Sequence, residues 1–142
     1  MTESFYQQNS QIQKHYQKIA DKYNFFWGYS SEYVQFCSQK IVEYLQIQPT
    51  DYFVDIGCGT GLFTKQIPDI VKLSNPITCV DFCKSMLAKI PDSKQFEPIY
   101  INAIDFSLQP QKYNKILLQH VIHHINDKKQ FIQNLSEKLF IV

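Results

Sequence analysis

Three of the four glycines in this 142-residue chain, Gly57, Gly59 and Gly61, fall within five residues of one another. A loop without Cβ atoms lets a ligand approach the backbone closely, and the N–H groups opening a following helix favour an electronegative group. Ahead of the glycines runs Tyr52-Phe53-Val54-Asp55-Ile56, a short β-favouring stretch. Behind them Leu62 to Ile67 can start a helix, with Pro68 in its first turn or kinking it. Strand, glycine loop, helix is the order of a nucleotide-binding turn. Twenty residues past Gly61, Asp81 closes a second apolar stretch. A carboxylate there accepts hydrogen bonds from both hydroxyls of an adenosyl ribose and disfavours a 2′-phosphate; capping the next helix is the alternative role. The ligand role requires that loop and carboxylate share one end of the sheet.

The spacing also discriminates among adenosyl ligands. A dinucleotide loop reads G-x-G-x-x-G, its third glycine letting helix and strand pack closely. Here the pattern is G-x-G-x-G, with Leu62 where the dinucleotide pattern needs glycine. All fourteen cations are Lys, so no Arg fork is available for a pyrophosphate. An adenosine with a small zwitterionic tail fits better than one with two phosphates. His120, His123 and His124 form H-x-x-H-H, but a metal would need a further ligand from elsewhere, and no metal site is expected. As unperturbed imidazole titrates near ~6.5, His123 and His124 are candidate bases, or else capping and packing residues. Cys37, Cys58, Cys79 and Cys83 contain no C-x2-C pair and read as reduced, mostly buried thiols.

Positioning these groups takes an alternating chain. Ile77 to Asp81, Pro98 to Ile101 and Lys115 to Gln119 read as second, third and fourth strands. Lys84 to Ile90 sets Met86, Leu87 and Ile90 on one helical face. Asp127 to Leu139 spaces Phe131, Leu135 and Leu139 as an amphipathic helix capped by Asn126 or Asp127. Upstream, Val34, Cys37, Ile41 and Leu45 repeat at helical spacing behind a Ser30 or Ser31 cap. Such alternation implies a parallel sheet with right-handed crossovers. Phe140-Ile141-Val142 looks like the opening of a fifth strand.

Composition bounds the rest. The length suits one domain, and a formal net charge of +1 argues against a dedicated nucleic-acid binder. No apolar run approaches the ~20 residues of a membrane span, and the polar opening is no signal peptide, so a soluble cytoplasmic protein is expected.

Val54-Asp55-Ile56-Gly57-Cys58-Gly59-Thr60-Gly61 resembles the first motif of the class I S-adenosylmethionine-dependent methyltransferases, small-molecule type. Val80-Asp81-Phe82 with Ser85-Met86-Leu87 resembles the ribose-binding segment of that family, and Asn102-Ala103-Ile104-Asp105-Phe106 its adenine-contacting segment. Ile116 to Ile125 resembles the fourth-strand motif, and His15-Tyr16 through Tyr23 the N-terminal lid helix.

The resemblance implies an α/β, three-layer Rossmann-like fold with a mostly parallel sheet in the order 3-2-1-4-5. The family's final strand hairpin would be missing, which suggests a truncated product. Within one domain, residues 1–48 would form the lid and first core helix, and 49–142 an incomplete S-adenosylmethionine-binding core. Asp55, Gly57, Cys58, Gly59 and Gly61 would form the loop at the methionine end of the cofactor. Asp81 would take the ribose hydroxyls and Phe82 would lie against the adenine. Asn102, Ala103 and Asp105 belong to the adenine segment, with either Asn102 or Asp105 meeting the amino group. His120 would face the transferring methyl, and Tyr16 or Tyr23 would touch the cofactor from the lid. Asn114 stands where many members carry Asp, a position read as structural.

The implied activity is methyl transfer to a small-molecule acceptor, with neither nucleic acid nor membrane as partner. The alternative is a truncated, inactive adenosyl-ligand-binding or interaction protein.

Overall fold

The computed structural model describes Lys14 and residues 28–140. Helix α1 (Ser31–Leu45) opens at Ser30, whose hydroxyl accepts the Tyr33 N–H, satisfying a donor the first turn would otherwise leave unpaired. It closes at Gln46 in the left-handed conformation. Strand β1 (Phe53–Ile56) follows, then the glycine loop, a 3-10 turn (Thr64–Gln66) and the short α2 (Ile67–Ile70). Pro68 occupies the first turn of α2, where its missing N–H costs nothing. The pattern from Leu62 thus becomes a 3-10 turn beginning two residues later, at Thr64, and α2 itself begins only at Ile67.

Three further strand–helix units complete the described fold. Strand β2 (Ile77–Asp81) leads to α3 (Lys84–Leu87), and β3 (Phe96–Tyr100) to α4 (Ala103–Ser107). Strand β4 (Lys115–Leu118) passes through a 3-10 turn (Ile122–His124) to α5 (Lys128–Lys138), which Asp127 caps by accepting the Gln130 N–H.

All pairings are parallel and the order is β3-β2-β1-β4. The expected fifth strand is represented by a parallel bridge between Tyr113 and Leu139 and by the Phe140 N–H donated to the Tyr113 carbonyl. Ile141 and Val142 lie outside the described residues. Leu139 is therefore no helical core residue. The helix ends at Lys138, and Leu139 turns outward to meet Tyr113 at 46% exposure. Lys138 takes the buried place instead, its ammonium donating to the Gln109 carbonyl and lying 4.7 Å from the Phe106 ring centre. Pro98 falls in β3, an edge strand, where a missing ladder donor is tolerated.

Strand side chains alternate between sheet faces, and the core divides accordingly. Val54, Ile56 and Val80 pack with Phe106, Phe131 and Leu135 on one face. Phe53, Ile77 and Cys79 pack with Ile41, Ile67 and Ile90 on the other. Asp55 pairs with Cys79 in register and shares the Phe53 parity, so it points toward the α1 and α2 side. Ser38, fully buried on α1, has its hydroxyl 2.8 Å from the Phe63 carbonyl and so ties that helix to the end of the glycine loop.

At the amino ends of β1 and β4 a polar cluster fixes the register. Asp51 accepts the Gln48 N–H at 2.7 Å and the Asn114 side-chain amide, and the Lys115 ammonium lies 3.4 Å away. Asn114 in turn accepts the Tyr52 N–H at 2.6 Å. Burial alone would raise the Asp51 pKa, but the Gln48 N–H, the Asn114 amide and the Lys115 charge together hold it below the ordinary carboxylate value. Asn114 is here a strap between strands.

Candidate functional site

At the carboxyl ends of β1, β2 and β4 the structure opens a cavity of about 320 Å³. Its floor is the glycine loop. The Gly57 and Cys58 N–H groups both donate to the Val80 carbonyl, at 2.7 and 2.9 Å, which bends the chain sharply off β1. Gly57 has φ of +76°, and a Cβ built on it would lie 2.1 Å from Cγ2 of Val121. Gly59, at φ of +58°, has no atom within 4 Å of its would-be Cβ, so a left-handed backbone there faces open space.

Asp81 meets this loop directly. One carboxylate oxygen accepts the Gly59 N–H at 2.9 Å and the other accepts the Cys83 N–H at 2.9 Å. The requirement that loop and carboxylate share one end of the sheet is met. Asp81 also has a job the spacing does not reveal: it holds the loop in shape. Burial raises its pKa, against the Gly59, Cys83 and Phe82 N–H groups, which favour the charged form.

Below them sits Asp55, 1% exposed. Its Oδ2 accepts the Thr64 hydroxyl at 2.5 Å, and its Oδ1 is buried with no hydrogen-bond partner. Burial lifts its pKa to about 7; the Thr64 hydroxyl pulls downward and the Asp81 charge adds to the rise. A hydrogen bond with Cys79, followed by burial, pushes the Cys58 thiol well up, so it stays protonated and unreactive.

Of the residues singled out from sequence, Asp55, Gly57, Cys58, Gly59, Asp81, Phe82, Asn102, Ala103, His120, His123 and His124 all line the cavity. Gly61 does not; a Cβ there would meet Ile90 at 2.6 Å, so it serves the packing of the loop against the α3 side. Nor does Asp105. The Asn102 oxygen caps α4 by accepting the Asp105 N–H at 2.8 Å, and the Asn102 amide donates to the Asp105 carboxylate at 2.7 Å. Both candidates for the adenine amino group are therefore bonded to each other, and of the two Asn102 alone reaches the cavity wall. Tyr16 and Tyr23 lie outside the described residues.

Several lining groups were not among the candidate site residues. Tyr29 lines the mouth, its ring centre 5.9 Å from that of Phe63. Met86, Ile101 and Ile104 give an apolar wall suited to a flat ring. Thr64, nine residues from the acid it bonds, fits no short motif. The His123 and His124 ring centres lie 3.9 Å apart with the rings tilted at 42°, and burial, then the neighbouring His123, lowers the His124 pKa. His120 lines the cavity in the left-handed region at φ of 55°, a conformation that persists in a non-glycine residue only where its surroundings hold it. Among the described residues no group of three His, Cys, Asp or Glu side chains is placed to hold a metal, and no helix is long and apolar enough to cross a membrane.

A parallel sheet with its pocket at the strand carboxyl ends, under a glycine loop and an acid on the next strand, defines a doubly wound ligand-binding fold. Residues 54–139 match the methyltransferase domain family, and the chain belongs to it. It is 27% identical to the probable tRNA methyltransferase 9B of Bos taurus over 129 residues, 90% of this chain and 27% of that protein. It is 28% identical to the malonyl-[acyl-carrier protein] O-methyltransferase of Bacillus cereus over 90 residues, 62% of this chain and 33% of that one. The chain thus spans about a third or less of these relatives.

Solved structures share the fold. Magnesium protoporphyrin IX methyltransferase (ChlM) from Synechocystis PCC 6803 with bound SAM gives a TM-score of 0.70 at 14% identity, over 93% of this chain and 72% of that one. The plantazolicin methyltransferase BpumL, crystallised with a desmethyl analogue and SAH, gives 0.65 at 16%, over 99% and 58%.

Proposed function

We propose that this chain binds S-adenosylmethionine in the cavity and transfers its methyl group to a small-molecule acceptor. The observation that carries this is the meeting of the Gly59 N–H with the Asp81 carboxylate at the cavity floor, above a buried acid with an orphaned oxygen. The residues present fit the ligand. Open space over Gly59 suits close approach of an amino-acid tail, the Asp55 oxygen suits its ammonium, and Met86, Ile101 and Ile104 suit the adenine. Asp81 would hold the ribose hydroxyls from its cavity side while bracing the loop.

When bound, S-adenosylmethionine supplies an electrophilic methyl on a sulfonium. The chain's own residues then have to orient and shield. Proximity and alignment can supply roughly 7–11 kcal/mol of a displacement barrier. Phe63 and Tyr29 line the cavity and would lend it aromatic surface against water. His124, whose pKa burial and then His123 lower, offers an imidazole nitrogen that can accept a proton if the acceptor must lose one.

A small acceptor is favoured over nucleic acid because no lysine lines the cavity among the described residues and the chain lacks Arg altogether. Calorimetric titration with S-adenosylmethionine, S-adenosylhomocysteine and NAD tests the ligand. The first two should bind; tight binding of NAD alone would sink the reading. Methyl transfer to small phenols, alcohols, amines and carboxylates, run beside transfer to tRNA, then tests the acceptor. Binding without transfer to any of them would leave a ligand-binding role.

A further inference from the structure

Asp55 is unlike any other acid in the described structure. It is fully enclosed, and its Oδ1 has no partner among the described residues. The groups around it are the Thr64 hydroxyl from the 3-10 turn, the Cys58 thiol from the glycine loop, Cys79 and Asp81 from β2, and the apolar Leu117 in register on β4. None of these is a cation. Asp81 is itself acidic but takes backbone N–H groups from Gly59, Cys83 and Phe82, which stabilise its charged form. Asp55 has a single hydroxyl donor. Of the two neighbouring carboxyls, Asp55 is the one built to keep a proton.

We propose that ligand uptake at this site is a cation-for-proton exchange: without ligand Asp55 is a neutral acid, and when an ammonium group settles beside its orphaned oxygen the carboxyl proton passes to solvent. The site thereby avoids the cost of an unpaired buried charge in the empty state, and gains a buried ion pair with Asp55 in the filled one. The Thr64 hydroxyl suits both states, since it can turn to accept from the acid or donate to the carboxylate. The pKa of about 7 for Asp55 puts the exchange within the physiological range. This inference rests on the S-adenosylmethionine reading and adds the proton to it.

Calorimetry of S-adenosylmethionine in two buffers of different ionisation enthalpy counts the protons released. Working at or below pH 7 keeps the ligand's own amine, with a reference value of about 7.7–8.0, protonated. The release should be about one proton per ligand near pH 5.5 and about half that at pH 7, with affinity rising about 15-fold between them. Methylthioadenosine, which lacks the amino-acid tail, should bind with no proton released. Asp55→Asn should bind S-adenosylmethionine with no release and with an affinity flat across that range. Binding without buffer-dependent heat, or equal release from the Asn variant, overturns the exchange and leaves the ligand reading standing. Absence of binding by both S-adenosylmethionine and methylthioadenosine overturns the two together.

Discussion

Asp51 and Asp55 are the same residue type four positions apart, one just before β1 and one near its carboxyl end, and both are buried. At the amino end Asp51 is paired on every side, by Gln48, Asn114 and Lys115, and its pKa is lowered. At the carboxyl end Asp55 has one hydroxyl and an acidic neighbour, and its pKa is raised. The amino end of the sheet spends its polar groups on holding strands together. The carboxyl end leaves groups unspent: an oxygen without a partner, left-handed backbone at Gly57, Gly59 and His120, and a cavity. The unsatisfied polarity sits where a ligand would repay it.

Substitutions can test this contrast. Gly57→Ala should have the largest effect, because it combines a left-handed L-residue, costing ~1–2 kcal/mol, with overpacking against Val121, costing ~1–3 kcal/mol. The thermal midpoint should fall sharply; an unchanged melt would mean the loop relaxes freely. The Asp pair should then respond with opposite signs. Raised in the fold, Asp55 contributes stability that is fully present below the unfolded value of ~3.9 and lost as pH rises through about 7. Asp55→Asn should therefore stabilise the ligand-free protein at pH 8, by about 2–4 kcal/mol.

Lowered in the fold, Asp51 contributes stability that is present above ~3.9 and lost as pH falls through its folded value. Asp51→Asn should thus destabilise at neutral pH by about 1–3 kcal/mol and flatten the acid limb. Melts of both variants from pH 4 to 8 check this, and shifts of the same sign would break the contrast. For ligand affinity, Asp81→Ala should cost roughly 1.5–3 kcal/mol by calorimetry. An unaltered dissociation constant would reduce Asp81 to a brace for the loop.

Much of the frame was legible because its signals are local. β2 spans Ile77–Asp81 as the apolar run suggests, Ser30 caps α1, and the strand–glycine–helix order stands. What was not legible depends on contacts between distant residues. The i, i+4, i+8 spacing of Phe131, Leu135 and Leu139 implies three core positions, yet the helix ends at Lys138 and Leu139, bridged to Tyr113, is exposed. The short helix at Ala103–Ser107 looked like a motif segment only. Its Asn102 oxygen also caps that helix, a role the motif does not reveal. Thr64 and Tyr29 enter the site through packing that no spacing rule encodes.

From its amino acids alone the chain already commits to a bend that must be left-handed, an acid at the next strand's end, and an alternation that makes a parallel sheet. These follow from sterics and periodicity, which act between near neighbours. Only the assembled fold determines which of two identical buried acids carries its charge. That outcome rests on donors such as Asn114, 63 residues away from Asp51, and on their absence around Asp55. The electrostatic energy of a buried group is set by what surrounds it in space, and no residue can announce that by itself.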